Sequence, residues 1–275
     1  MGKRAAFVGL TNIDYIYYID EFPEENSKCK TNNYEKYIGG PAANAAITYA
    51  ALGGDATLIT AIGSSDEADG IAKKLEEYGV KLINVAKDNK LPGMSTICIS
   101  GDGKRTIISG QREFAYIDVE SVDMVAFDFA LFDLNQQNIA LPILQKIGCE
   151  IVLDAGSYKE NTEKFLARAD IVISSEQFRD SHGRDVFEMP YPNIKLKAMS
   201  RGEKSILTLN GEIEVDKVTC VDSLAAGDIM HGAFCYGYYD KGMGFEDALK
   251  YASGIASESV KYKGPREWIN SYKVR

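Results

Sequence analysis

Short apolar segments alternate with helical segments through the second half of the chain, and this alternation restricts the fold more than any other feature. The apolar runs at 124–132, 150–153 and 171–173 are predicted strands, and stretches with helical periodicity lie between them. Such alternation is typical of a parallel sheet wrapped by helices. Loops that follow the strands of such a sheet usually form the ligand site, and here polar residues follow each strand.

The first half of the chain interrupts this alternation twice. Residues 15–37 mix aromatic and charged side chains around Pro23, which indicates an exposed strand pair. Two further strands flank Asp102-Gly103, a strong hairpin signal. We therefore expect a small β-sheet lid inserted into a single α/β domain. The domain would span residues 1–275, with lid segments near 12–38 and 91–112.

Composition excludes several classes of protein. The 275 residues carry a net charge of −9, which disfavours nucleic acid and anionic membranes as partners. The five cysteines show no CxxC pair, so a zinc cluster or a disulfide framework is not expected. No signal-peptide pattern and no membrane-spanning apolar run is present. These features predict a cytoplasmic protein with reduced thiols.

Two turns rich in small residues have the character of ligand sites. Gly39-Gly40 precedes a predicted helix that begins at Pro41, and Asn44 would face outward from its first turn. The second turn, Ala225-Ala226-Gly227, leads into a helix whose first turn carries Asp228. The free N–H groups of a first helical turn suit a phosphate. Tight helix packing and an ordinary N-terminal acidic residue are the alternative readings.

Other nucleotide-binding signatures are absent. The chain has no GxxxxGK[ST] motif, no GxGxxG after the first strand and no protein-kinase motif set. The two turns instead resemble the paired signatures of the ribokinase-like (PfkB) carbohydrate kinases, read here as 39–46 and 222–228. The glycine turn at 200–204 and the tail at 252–264 also fit, so the resemblance covers almost the whole chain. It implies a three-layer α/β/α sandwich with a mostly parallel central sheet and a small β-sheet lid.

The resemblance also implies an activity, which is transfer of the γ-phosphoryl group of ATP, with Mg²⁺, to a hydroxyl of a sugar or sugar derivative. Asp228 would be the general base, and the backbone of 225–228 would form the anion hole. Related members have a monovalent-cation loop near Asp222, so activation by K⁺ is a further expectation. The remaining candidate contacts are Asn12, Asp14, Gly39, Gly40 and Asn44 for the substrate, Ser200, Gly202, Ser253 and Asp222 for the nucleotide and its cation, and Glu176 for the metal.

Arg105, on the predicted hairpin, is a candidate substrate contact, and a solubilising edge residue is the alternative. Ala225 stands where the family usually has glycine, and a positive φ there would strain it by roughly 1–2 kcal/mol. Three rival interpretations follow: a nucleoside kinase of this fold, a fructosamine-type kinase of this fold, and a sugar-binding homologue without catalysis. The tyrosine-rich lid would expose apolar surface, which predicts a homodimer through the lid.

Overall fold

The computed structural model describes residues 2–101, 104–124 and 127–273, and its strands form two separate sheets. The large sheet has nine strands in the order β13-β12-β11-β10-β9-β8-β1-β4-β5, and the small sheet has four in the order β3-β2-β6-β7. The strands are β1 (Arg4–Val8), β2 (Asn12–Ile19), β3 (Tyr34–Gly39), β4 (Asp55–Thr60), β5 (Lys81–Asn84), β6 (Gly93–Ser100), β7 (Arg105–Gly110), β8 (Phe129–Phe132), β9 (Glu150–Ala155), β10 (Ile171–Ser175), β11 (Leu196–Arg201), β12 (Lys204–Thr208) and β13 (Gly211–Ile213).

Helices cover both faces of the large sheet. All of its strand pairings are parallel except those that join β12 to β11 and to β13. The expected three-layer α/β/α sandwich with a mostly parallel sheet is therefore confirmed. The helices are α1 (Pro41–Ala51), α2 (Asp66–Glu77), α3 (Gln137–Lys146), α4 (Thr162–Leu166), α5 (Ala226–Cys235), α6 (Phe245–Ser259) and α7 (Glu267–Lys273), with a π-helical turn at Tyr236–Asp240.

The hydrophobic core has two parts because successive side chains of a strand point to opposite faces. In β1, Phe7 packs in the cluster that includes α1, α5 and α6, whereas Val8 packs in the cluster that includes α3 and α4. In β8, Phe129 and Phe132 divide between the two clusters in the same way. Strands buried on both faces explain the continuous apolar runs in the sequence.

The small sheet joins the two predicted lid segments. The first segment supplies the antiparallel pair β2 and β3, and the second supplies the antiparallel pair β6 and β7. Parallel pairing of β2 with β6 links them into one sheet. The predicted small β-sheet is thus confirmed, and the Asp102-Gly103 turn lies outside the described residues. That both sheets belong to one folding domain stays a prediction.

Several predicted boundaries differ from the structure. The strand expected at 124–132 is shorter, because β8 begins at Phe129, and residues 125–126 are outside the described part. The sequence predicts that Asn12 and Asp14 follow the first strand, with an Asx-type turn as the alternative, but both belong to strand β2. Ser200, expected in a glycine turn, lies in β11, and only residues 202–203 form the turn. The sequence predicts a last helix from Phe245 to about Tyr262, whereas α6 ends at Ser259, and the short helix α7 was not predicted.

Helices α1 and α5 approach closely at one residue. A Cβ atom on Gly232 of α5 would lie 2.3 Å from the carbonyl oxygen of Ala45 and 2.9 Å from Cβ of Thr48, both in α1. A separation below 3.0 Å from a backbone atom requires the backbone to move. Glycine at this residue therefore allows the contact that places the first turns of the two helices side by side.

We expect Gly232→Ala to lower the free energy of unfolding by about 1–3 kcal/mol, because overpacking outweighs the better helix propensity of alanine. The matched control is Gly70→Ala in α2, where an added Cβ meets no atom within 4 Å. The control should raise stability by up to about 1 kcal/mol. Urea unfolding measures both variants. Equal stability of Gly232→Ala and the wild type would show that the helices have room for a side chain.

Candidate active site

The candidate site lies at the carboxyl edge of the large sheet. Asp133 follows β8, and its carboxylate accepts hydrogen bonds from the backbone N–H groups of Leu10 (2.9 Å), Ala42 (3.0 Å) and Asn135 (2.8 Å). This one side chain therefore ties the end of β1 to the start of α1. Burial raises the pKa of Asp133 to about 6, although the three backbone donors oppose the rise.

The double glycine holds the start of α1 against the end of β1. Gly40 caps α1 at φ 97°, a conformation that favours glycine, and a Cβ there would lie 2.2 Å from the carbonyl oxygen of Leu10. The carboxylate of Asp14 occupies the space beside Gly39. The predicted substrate contacts Gly39, Gly40 and Asp14 therefore lie together, between the small sheet and α1.

Asn12 and Asp14 form a buried polar pair on β2. Nδ2 of Asn12 donates to Asp14 Oδ1 at 2.9 Å and to Ser95 Oγ at 2.6 Å, whereas Oδ1 of Asn12 has no partner. Burial raises the pKa of Asp14, and the donors Asn12 and Ser95 and the charge of Arg266 oppose the rise. A buried acceptor without a donor is unusual, and a hydroxyl group of a ligand would satisfy it.

A side-chain hydrogen bond joins the two small-residue turns. Asn44 of α1 donates through Nδ2 to Oδ2 of Asp228, in the first turn of α5, at 2.6 Å. Asn44 is 5% exposed, so the expectation that it faces outward is wrong: the neighbouring helix covers it. The double-glycine helix and the carboxylate therefore meet in one place, although they are 184 residues apart in sequence.

The turn before α5 has a strained backbone. Ala225 has φ 62° and ψ 9°, which is the left-handed region that glycine normally occupies. Ala225 therefore has the positive φ that was expected to strain an alanine at this position. Ala226, Gly227 and Asp228 then form the first turn of α5, whose N–H groups have no partner inside the helix, although that of Ala226 donates to the carbonyl oxygen of Ser223 at 3.3 Å. The turn therefore presents a backbone cradle that suits an anion.

Two other carboxylates lie close enough to Asp228 to repel its negative charge. Burial raises the pKa of Asp228 to about 7, and the carboxylates of Asp154 and Asp133 add to the rise. The hydrogen bond from Asn44 and the nearby ring of His231 act in the opposite direction. A carboxyl group with a pKa near neutrality changes readily between its protonated and ionised forms, as a general base requires.

His231 links α5 to the sheet beneath it. Its Nδ1 lies 2.8 Å from the carbonyl oxygen of Gly227 and 3.5 Å from Oδ2 of Asp154, and its Nε2 lies 3.3 Å from the carbonyl oxygen of Ile173. Carbonyl oxygens only accept, so the protonated ring donates to both and the neutral ring to one. The sequence favours packing or a helix cap as the role of His231, one turn after Asp228, and these contacts agree with packing.

The predicted nucleotide residues lie in three elements. Ser200 of β11 donates to the carbonyl oxygen of Ser174 at 3.2 Å, and Gly202 follows in an exposed turn. Ser253 is buried in α6, and its hydroxyl donates to the carbonyl oxygen of Lys250 at 2.9 Å. Among the described residues, no hydrogen bond joins Ser253 to Ser200 or Gly202.

Asp222 connects the turn before α5 to the small sheet. Its carboxylate accepts from the backbone N–H groups of Leu224 (2.9 Å) and Gly264 (3.1 Å) and from the hydroxyl of Tyr18 (3.4 Å). Arg105 donates to Ser223 Oγ at 3.4 Å. Arg105 therefore lies near the turn that leads into α5.

The residues near the candidate metal contact do not form a metal cage. Glu176 is exposed and forms an ion pair with Lys204 at 3.2 Å. Within residues 2–101, 104–124 and 127–273, no group of three or more His, Cys, Asp or Glu side chains is arranged to hold a metal ion. Mg²⁺ is commonly held by one or two carboxylates together with substrate phosphates, and such a donor set is compatible with a metal that arrives with ATP.

Sequence reasoning missed Arg266. This side chain is 5% exposed and contacts Asn44, yet its position after Gly264-Pro265 suggested only the end of a helix. The one available signal was an arginine between a proline and the sequence Glu267-Trp268. Asp133 and Asp154 are among the polar residues that follow predicted strands, but the sequence did not predict that they lie near Asp228.

No helix in the described part of the chain is both long and apolar enough to cross a membrane.

The chain is similar to known proteins over almost its full length. It is 25% identical to the deoxyribokinase of Salmonella typhi, over 94% of this chain and 93% of that protein. It is also 25% identical to the nucleoside kinase of Methanothermobacter thermautotrophicus, over 94% and 89%.

Among solved structures, the Arabidopsis thaliana ribokinase complexed with ribose and ATP matches with a TM-score of 0.73 and 20% identity, over 96% of this chain and 94% of that one. The family model described as pfkB family carbohydrate kinase matches residues 3–153 and 192–271. These segments include both small-residue turns but not Glu176. The match extends over most of the sequence, and the chain therefore belongs to the pfkB family of carbohydrate kinases.

Proposed function

We propose that the protein transfers the γ-phosphoryl group of ATP to a hydroxyl of a sugar or sugar derivative, with Asp228 as the general base. The observation that carries this proposal is the hydrogen bond between Asn44 and Asp228. It holds the carboxylate of Asp228, at the start of α5, next to the first turn of α1. The names of the related proteins, which include deoxyribokinase and ribokinase, support a sugar as the acceptor.

The proposed mechanism assigns separate tasks to the two turns. Asn12 and Asp14 would hold hydroxyl groups of the sugar, while Asp228 removes the proton of the hydroxyl that attacks. The N–H groups of residues 225–228 would stabilise the negative charge on the transferred group. Phosphoryl transfer depends mainly on such positioning and charge stabilisation, which fits a site built from backbone groups and fixed side chains.

Mg²⁺ is included in the proposal, since it neutralises charge on the phosphates of ATP. Glu176 is the candidate side chain for it, and it would have to leave its ion pair with Lys204. K⁺ near Asp222 is a further proposed activator. Ser200, Gly202 and Ser253 are proposed contacts of the nucleotide, and Arg105 is proposed to contact the substrate on the phosphate side.

Three rival functions remain. The similarity to a nucleoside kinase favours a nucleoside acceptor, and a fructosamine acceptor would use the same chemistry. The strain at Ala225 favours a sugar-binding homologue without catalysis. ADP release measured with sugars, nucleosides and fructosamines separates these functions. Binding of a sugar without consumption of ATP in any reaction would favour the non-catalytic homologue.

We expect Asp228→Asn to lower kcat by about 10²–10⁴-fold or more, because an amide cannot accept the proton of the attacking hydroxyl. Sugar binding, measured by calorimetry, should survive. The matched control is Asp216→Asn, which makes the same change at an exposed carboxylate paired with Lys250. The control should retain wild-type turnover. Unchanged turnover in Asp228→Asn would remove Asp228 as the base.

The pH dependence of kcat/KM should report the raised pKa of Asp228. The base works only when ionised, so kcat/KM should fall about tenfold for each pH unit below about 7 and level off above it. An ordinary carboxyl group would place this limb near pH 4. Initial rates measured from about pH 5 to about pH 9 test this. A flat profile down to about pH 5 would contradict the assignment.

We also propose a homodimer through the small sheet. Every residue of the edge strand β7 is exposed, and the side chain of Ile108 is 71% exposed. Tyr34 is 60% exposed and, by the strand register, lies on the same face as Ile108. An exposed edge strand with large apolar side chains is a template for pairing with a second chain.

We expect Ile108→Lys to shift the protein from dimer to monomer, because the charge would be buried without a partner in the interface. Tyr116→Lys is the control, since Tyr116 is also 71% exposed but lies outside the small sheet. Light scattering at micromolar concentration measures the mass of each variant. A monomeric wild type would contradict the proposed dimer.

A further inference from the structure

A buried arginine lies behind Asn44. Arg266 precedes α7 and is 5% exposed. Its Nη2 donates to the carbonyl oxygen of Ile38 at 2.9 Å and to Oδ1 of Asn44 at 2.5 Å, and its Nη1 donates to the carbonyl oxygen of Pro265 at 3.1 Å. Among the described residues, these contacts are to backbone and amide oxygens, so no carboxylate holds the cation directly. Burying a cation without a carboxylate partner costs free energy, and a functional role for Arg266 would explain why it lies there.

The contact with Arg266 determines which way the Asn44 amide points. A guanidinium group only donates, so the oxygen of Asn44 must face Arg266, and the NH₂ group then faces Asp228. The reverse orientation would place the amide oxygen against a carboxylate and the amide NH₂ against a donor. Arg266 thus selects the one orientation of Asn44 in which it donates to Asp228.

We infer that Arg266 is a positioning residue for phosphoryl transfer, which acts through Asn44 to hold Asp228 ionised and aimed at the substrate. This inference rests on the proposed role of Asp228 as the base. It assigns a function to a residue that lies 222 positions away in sequence from the asparagine through which it acts.

The charges around Asp228 explain why such a residue is needed. Asp154 from β9 and Asp133 from the end of β8 both favour protonation of Asp228, whereas Asn44 and His231 favour its ionised form. Arg266 interacts electrostatically with Asp228 and with Asp14 on β2. Its remaining electrostatic neighbours are Tyr78, after α2, and Tyr37 of β3. The positive charge and the oriented donor therefore act in the same direction on Asp228.

The test replaces Arg266 with methionine, which keeps much of the apolar stem but removes the charge and the donors. We expect the acidic limb of the kcat/KM profile to move up by about one pH unit, since an opposite charge and a donor are lost. At pH 7 the rate should fall about fivefold or more. Arg168→Met is the control: Arg168 donates to the carbonyl oxygen of Ile147 before β9, at the opposite edge of the sheet. The control should leave the profile unchanged.

A double-mutant cycle separates positioning from general destabilisation. Arg266→Met should shift the profile less in an Asn44→Ala background than in the wild type, because the intermediate residue is already lost. An equal shift in both backgrounds, or a folded Arg266→Met protein with the wild-type profile, overturns the inference. If Arg266→Met does not fold, Arg266→Gln replaces it. Glutamine removes the positive charge but keeps a polar side chain, and a wild-type profile in that variant overturns the inference equally.

A separate measurement distinguishes this inference from the proposed function. If the wild type phosphorylates no sugar, the proposed function fails, and the pKa of Asp228 is then measured by a ¹³C NMR titration of its carboxyl carbon. A higher midpoint in Arg266→Met than in the wild type supports the action of Arg266 on Asp228. The same midpoint in both proteins overturns it.

Discussion

The hydrogen bond between Asn44 and Asp228 is the interaction on which the rest of the site depends. It connects the first turns of two helices that are far apart in sequence. It forms because α1 and α5 pack closely at Gly232, and because Gly40 and Asp133 fix where α1 begins. The packing of the fold and the chemistry of the site are therefore set by the same contacts.

The site also brings together groups that a stable fold would normally separate. Ala225 is held in a left-handed conformation, Arg266 is buried without a direct carboxylate partner, and Asn12 has an unsatisfied acceptor. Each feature costs free energy, and each lies beside a proposed substrate or phosphate contact. Local strain at a site is expected where positioning matters more than stability.

The sequence predicted the main architecture because the apolar strands and the small-residue turns have strong local signals. The parallel sheet and the small β-sheet could be anticipated from pattern, and the two small-residue turns could be recognised as parts of one site from motif, whereas the direct hydrogen bond between Asn44 and Asp228 could not be predicted. Arg266 could not, because its role depends on a contact 222 residues away and its neighbours in sequence resemble an ordinary helix end. The burial of Asn44 was also missed, since periodicity alone does not show that a second helix covers its first turn.

The cluster of carboxylates at the sheet edge has a consequence for the response to acid. Burial raises the pKa of Asp133, Asp154 and Asp228 above the value of about 3.9 that an unfolded chain shows. Between pH 4 and pH 7, roughly, the folded protein holds protons at these groups that the unfolded chain releases, so their contribution to stability grows as the pH falls. Mild acidification therefore relieves the repulsion among these carboxylates, and it also protonates the base. As a result, the stability of the fold and the turnover of the site change with pH in opposite directions.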